Sequence, residues 1–364
     1  MSNKAKPSFG DNLNIIGAIA SKDIVDALKN RVIVAMVLML CFPLLVPKLL
    51  PYIFEQSQTV MPVYDMGNSA LVADLQNATE FSVQAVHSKK ELGLALCSGI
   101  YPEIGLMIPT DFNPEIGPGD QLDFQGFVCW SKRHQVAELQ PKLAGMLSAS
   151  LGRPVTVQIE GNILYPPMDG VLYLSLSTVN TIVLFLVIGI FTLPSLLLEE
   201  KETKTMQALL VSPASIAQVV TGKALAGSFY ILVGAIIIFL ISWVDVIHWD
   251  MVILFVIGSG IFSVAVGLVL GSLFDRPQDM VGWITGLLLA LIGAVLIKAL
   301  GLELPSFVNS ILPWVPSVAL AEIYRAALSE TVSIPSLLTN FGMVLIVSVL
   351  LYAFVVYLLR RSDR

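Results

Sequence analysis

Six apolar runs, each near the length of a membrane-crossing helix, decide what this chain can fold into. They cover 32–50, 171–198, 224–244, 251–274, 281–299 and 337–359. A hydrocarbon core about 30 Å thick takes about 20 helical residues at roughly 1.5 Å each, so every run predicts a span. Pro43 and Pro47 in the first and Pro194 in the second predict kinks, tolerated where neighbouring helices satisfy the freed carbonyls. With 55% hydrophobic and only 13% charged residues, the composition excludes a soluble enzyme. Residues 1–31 are polar and of mixed charge, unlike a cleavable signal peptide. A net charge of −6, with the bases in small groups at the ends of apolar runs, gives no nucleic-acid-binding stripe.

Basic residues resist translocation, so the short flanks set the orientation. With the amino terminus inside, Lys4, Lys6, Lys22, Lys29, Arg31, Lys201, Lys204, Lys223, Arg276, Arg360, Arg361 and Arg364 are all cytoplasmic. The short outer segments then hold only Lys48, Lys298 and Arg325. This predicts a multi-pass protein of the plasma (inner) membrane with both termini in the cytoplasm.

Between the first two spans, 51–170 changes to an ordinary soluble composition with 13 acidic and six basic residues, and is long enough for a core of its own. Strand alternation is clearest at 154–160, where Val155, Val157 and Ile159 face one way. Further strands are predicted at 60–64, 80–86, 104–109 and 122–130. Helices are predicted at 68–76, 88–96 and 140–150, with Pro141 in a first turn. Their alternation argues for an α/β domain on the outer side. Cys97 and Cys129 both lie in it, where an oxidising exterior permits a disulfide or leaves two packed thiols. His87, Cys97, Cys129 and His134 match no common zinc spacing, and no metal site is predicted.

The segment 199–223, EEKETKTMQALLVSPASIAQVVTGK, falls on the cytoplasmic side between the second and third spans. Glu199, Glu200 and Glu202 follow an apolar helix; Met206, Leu209 and Leu210 make an apolar patch at helical spacing; Ser212–Pro213 halts that helix. Ser215 with Gln218 suits a capping box for the next. A charged amphipathic elbow of this kind can lie on lipid headgroups or fit a groove in a cytoplasmic partner. Ahead of the first span, Ile15, Ile16, Ile19, Ile24, Val25 and Leu28 recur on one side of a helix interrupted at 21–26, predicting an amphipathic helix along the inner leaflet.

Glu200, Lys201, Glu202, Thr205, Leu209, Leu210, Ser212, Pro213, Ser215, Gly222 and Lys223 reproduce a pattern, E-[KR]-E-x-G-T-x-x-x-L-L-x-[ST]-P-x-[ST] followed by G-K, that resembles the ABC-2 type permeases. These are the membrane subunits of type V ATP-binding-cassette exporters. Lys204 stands where that pattern has Gly. The outer run SKKELGLALCSGIYPEIGLMIPTDFNPEIGPGD and the early run SKDIVDALKNR are also similar to the family's segments. The resemblance implies six spans with an inserted outer domain and a connecting helix over 1–31. It also implies that 199–213 couples to a separate nucleotide-binding subunit carrying ATP and Mg. This chain has no G-x-x-x-x-G-K-[ST] loop, so it is not expected to hydrolyse ATP alone, and with no G-x-S-x-G elbow or H-E-x-x-H helix either, no cofactor and no enzyme activity are predicted on this chain by itself.

The stretch 301–333 is apolar but broken by Pro305, Pro313 and Pro316, predicting a re-entrant hairpin in the outer leaflet. Phe307, Ile311, Leu312, Trp314 and Val315 gather around its prolines, either as a hydrophobic outer gate or as a lipid anchor. Glu322 and Arg325, three apart, suit a mutual pair or a substrate contact. Small residues at four-residue spacing, Ser259, Ser263, Gly267 and Gly271 in the fourth span and Gly282, Gly286, Ala290 and Ala294 in the fifth, predict packing within the bundle or across a dimer seam. No acidic residue lies near the middle of a span, which disfavours an ion-coupled pump. One set of spans and one elbow per chain predicts a pair of chains. An exporter of amphiphiles, a sodium exporter and a membrane-anchored receptor or secretion accessory are the functions this sequence admits.

Overall fold

The computed structural model describes residues 9–29, 42, 45, 59–67, 71–76, 81–98, 104–110, 122–159, 161–165, 172–202, 216–242, 246–300 and 305–362. The predicted first span at 32–50 lies outside them, apart from Phe42 and Leu45. The chain opens with helix α1 (Phe9–Lys29). An α/β unit follows: β1 (Thr59–Asp65), α2 (Leu71–Gln76), β2 (Phe81–Val86), α3 (Lys89–Ser98), β3 (Gly105–Ile108), β4 (Leu122–Cys129), α4 (Val136–Leu151), β5 (Val155–Gln158) and β6 (Ile163–Leu164). The strands form one mixed sheet in the order β2-β1-β3-β4-β5, with β6 paired to the end of β4. Among the described strand pairs only β3 and β4 run antiparallel.

Both faces of this sheet are covered, as a largely parallel sheet requires. Met61, Val63, Leu106, Phe124 and Val157 pack with Leu75 of α2 and Leu139, Leu143 and Leu147 of α4. On the opposite face Phe127 and Cys129 meet Leu92, Leu96 and Cys97 of α3. Cys97 and Cys129 are joined in a disulfide, Cα atoms 5.4 Å apart, which ties α3 to the end of β4. Pro141 lies inside α4 rather than in its first turn, because the helix starts at Val136. Burial of Leu139 on the same stripe as Leu143 and Leu147 extends the helix back across the proline and outweighs the lost backbone bond. A six-residue 3₁₀ helix, Trp130–Gln135, separates β4 from α4.

The remainder is helical: α5 (Leu172–Glu202), α6 (Ile216–Ser242), α7 (Trp249–Leu273), α8 (Pro277–Ala299), α9 (Ser306–Ile311), α10 (Pro316–Ala327) and α11 (Ile334–Ser362). Pro277 and Pro316 open α8 and α10 at the first turn, where a missing N–H costs nothing. Among the described residues, four helices (α6, α7, α8 and α11) are long and apolar enough to cross a membrane. The pair α9–α10, bent by 74°, makes a fifth if counted as one span.

Helix α7 is the centre of the bundle, packed against α5, α6, α10 and α11. Its small-residue face explains that position. Ser259, Ser263, Gly267 and Gly271 are all buried, and a Cβ on Gly267 would sit 2.7 Å from the Gly189 carbonyl oxygen of α5. The small face of α8 is divided: Ala294 is buried in the core, whereas Gly282 and Gly286 are exposed and a Cβ on either would meet nothing within 4 Å among the described residues. Met280, Ile284, Leu291 and Val295 supply the inward stripe of that helix, leaving the glycines on its far side. Phe185, Phe239, Phe255 and Tyr324 form an aromatic cluster, with Phe185–Phe255 at 4.9 Å and Phe255–Tyr324 at 5.1 Å, joining α5, α6, α7 and α10. Asn180 Nδ2 and Thr181 Oγ1 in α5 are buried with no hydrogen-bond partner among the described residues.

Candidate functional site

The elbow predicted at 199–223 is described at its two ends. Glu199, Glu200, Lys201 and Glu202 form the last turn of α5, which runs past the predicted end of the second span; nothing is described of their side chains. Thr205, Leu209, Leu210, Ser212 and Pro213 lie outside the described residues. At the other end, helix α6 begins at Ile216, so Gly222 and Lys223 are within the helix rather than ahead of it.

These two residues receive the amino-terminal helix. Helix α1 lies beside the start of α6 and runs parallel to it. Gln218 Nε2 donates to Asn12 Oδ1 at 2.6 Å, Gly222 faces Ile16 and Ile19, and Lys223 Nζ pairs with Asp23 Oδ2 at 3.2 Å. Further on, the Tyr230 hydroxyl lies 2.8 Å from the Asp23 carbonyl oxygen and 2.7 Å from that of Ile24, so its proton is shared between them. Asn12 to Asp23 spans eleven residues, about 17 Å of helix. On α1 the contacting residues Asn12, Ile16, Ile19 and Asp23 keep i, i+4, i+7, i+11 spacing, which places them on one face of that helix.

Sterics and charge both fix this seam. A Cβ on Gly222 would lie 2.8 Å from Ile19 Cγ2 and 3.2 Å from the Ile16 carbonyl oxygen, so only glycine lets the helices approach this closely. The Asp23–Lys223 side chains are 5% and 2% exposed. A buried charge is costly unless paired, so each of these ions holds the other in place. Sequence periodicity placed Val25 on the apolar face of α1, but it is exposed, and the buried stripe carries Asp23 instead. A carboxylate on the buried side of one helix and a lysine at an apolar helix start, 200 residues apart, are the signal that the two would meet.

At the opposite end of α6 the bundle meets the α/β unit. Trp130 Nε1 donates to the Val246 carbonyl oxygen at 3.4 Å. The backbone N–H groups of Ile247 and His248 donate to the Ala327 carbonyl oxygen at 2.9 and 3.0 Å. Helix α10 is deeply packed, with Val318, Leu320, Ile323 and Tyr324 buried. The five residues predicted as an outer gate do not share one face. Phe307, Ile311 and Trp314 point away from the chain at 66%, 60% and 73% exposure, while Leu312 is buried in the core and Val315 packs against it. Glu322 takes both Arg325 at 3.5 Å and Lys298 at 3.7 Å, a half-exposed cluster worth about 1 kcal/mol or less per pair.

The family model for ABC-2 family transporter proteins matches residues 34–357, nearly the whole chain. The chain belongs to this family. It is thus the membrane permease component of an ATP-binding-cassette transporter, a multi-pass protein whose family associates with an ATP-binding-cassette subunit. Comparison with curated proteins gave no match. Within the permease, the α1–α6 seam closes on Gly222 and Lys223, the end of the segment whose sequence resembles the family's elbow.

Proposed function

We propose that this chain is the exporter permease of a complex with two nucleotide-binding subunits, and that two copies form the pathway. It would carry a hydrophobic or amphiphilic substrate from the inner to the outer side of the plasma membrane. In this reading the first span at 32–50 joins α5, α6, α7, α8 and α11 as six spans. The termini and 203–215 are cytoplasmic, α9–α10 is a re-entrant outer hairpin, and the α/β unit stands outside. The distribution of Lys and Arg supports this orientation. So does the position of the α/β unit, which meets the bundle at Val246, the end of α6 away from α1.

The observation that carries the proposal is the buried Asp23–Lys223 pair. It fastens α1 to the helix that emerges from the elbow, so a displacement of the elbow moves both elements together. When ATP closes the partner dimer, the elbow would be pushed, α6 and α1 would move as one body, and the bundle would switch from inward to outward access. ATP and Mg belong to the partner subunit, and this chain contributes the surface that receives its motion. Mainly apolar spans with small-residue packing suit a substrate drawn from the bilayer. Replacing Glu200 or Glu202 by Lys tests the assignment: the chain should insert normally but lose stimulated ATPase activity or its partner. Full coupling in these variants would remove the elbow from the mechanism.

A further inference from the structure

We propose that Trp130 is a positioning residue for the outer end of the pathway, acting through the 246–248 loop on the carboxyl-terminal end of α10. The contacts form a continuous path. The Cys97–Cys129 disulfide fixes the end of β4, and Trp130 is the next residue. Its indole carries the Arg133 guanidinium 4.0 Å from the ring centroid and stacks on Tyr165 at 5.3 Å. Arg133 Nη1 also donates to the Trp130 carbonyl oxygen at 2.8 Å, which closes the turn on itself. The indole N–H, held in this frame, reaches the carbonyl oxygen of Val246.

The loop passes the constraint on. Val246 is buried in the bundle core. The next two backbone N–H groups converge on the Ala327 carbonyl oxygen, and His248 Nε2 lies 3.4 Å from the Glu330 carbonyl oxygen. The last carbonyls of a helix have no partner within it, so Ile247 and His248 cap α10 from outside. Tyr324, one turn earlier, sits in the aromatic cluster with Phe239 and Phe255. A shift of the α/β unit therefore reaches α10 through backbone hydrogen bonds of a single short loop. That α10 lies at the exit rests on the reading above; the link itself does not.

The test uses the full-length chain in lipid nanodiscs, without an ATPase subunit, read by hydrogen exchange. In Trp130→Ala, the amides of Ile247 and His248 and those of 328–331 should exchange about ten-fold faster or more. Unchanged exchange at Phe124 and Leu143 would show that the α/β core is intact. Trp130→Phe keeps an aromatic ring for Tyr165 and Arg133 and removes the N–H donor. It should give a smaller acceleration at the same amides, and it decides the matter if Trp130→Ala disrupts the core. Wild-type exchange at 247–248 and 328–331 in a folded Trp130→Phe chain, with changes confined to 130–135 and 165, would overturn the proposal. Because no nucleotide or partner enters the measurement, its failure is distinct from failure of the exporter assignment.

Discussion

Removing one partner of the Asp23–Lys223 pair should undock the amino-terminal helix far more than its surface area suggests. Lys223→Met takes the ammonium away from the buried Asp23 carboxylate, and Asp23→Leu takes the carboxylate away from the buried Lys223 ammonium. Breaking a buried pair from one side costs about 3–5 kcal/mol. At roughly 1.4 kcal/mol per decade, that is on the order of a hundred- to a few thousand-fold in the docking equilibrium of α1. The double variant Asp23→Leu/Lys223→Met removes both charges, and replacing a buried pair by apolar groups is close to neutral. The singles and the double should thus be strongly non-additive: two singles at about 3–5 kcal/mol each against a double near zero give a coupling energy of about 6–10 kcal/mol between side chains in direct contact. Hydrogen exchange over 12–25 in full-length protein reads undocking directly, and stimulated ATPase activity in the reconstituted complex reads its consequence. Additive effects, with coupling under about 0.5 kcal/mol, would refute the argument that these ions hold each other.

Other perturbations separate the remaining claims. Gly222→Val should displace α1 through contact with Ile19 and the Ile16 carbonyl, at about 1–3 kcal/mol, seen as faster exchange in α1 with the bundle unchanged. Cys97→Ser should lower the stability of the α/β unit by about 3–4 kcal/mol, estimated from the loop closed by a bond of sequence separation 32, and a urea titration of the full chain checks it. Leu312→Ala should cost about 2–5 kcal/mol of thermal stability because that side chain is in the core. Phe307→Ala should leave stability nearly unchanged and, if the exposed hairpin face seals the exit, raise basal ATPase activity or leak in vesicles.

Hydropathy made the bundle legible because membrane thickness imposes one length on every span. The observed α6, α7, α8 and α11 overlap the runs found in the sequence and overshoot them at polar ends that a hydropathy reading discards. Four of the helices' starts show why: Ile216, Trp249, Pro277 and Ile334 all precede the apolar runs, set by turn chemistry and packing rather than by lipid. Period-two alternation placed β1 to β5 to within two residues at each end, since each strand buries at least one face. β6 escaped because two residues carry no period. The α1–α6 seam was half visible. Gly222 and Lys223 stood out through their resemblance to a family pattern, whereas Asp23 looked like a polar interruption of an amphipathic helix. Its partner lies 200 positions away, and no local pattern encodes such a distance. The hairpin residues were found as a group, but a sequence cannot say which side of a bent helix turns inward, and Leu312 and Phe307 turn opposite ways.

The central claim is that this permease is driven by a separate ATPase through its elbow and the helix clamped beside it. Its most direct test is purification of the tagged full-length chain with the ATP-binding-cassette subunit it recruits, with the mass of the complex and its ATPase rate measured together. The account predicts two copies of each subunit, and hydrolysis that loses its dependence on the permease when Glu200→Lys is introduced. A chain that purifies with no nucleotide-binding subunit, or a complex whose hydrolysis is indifferent to that substitution, would contradict it.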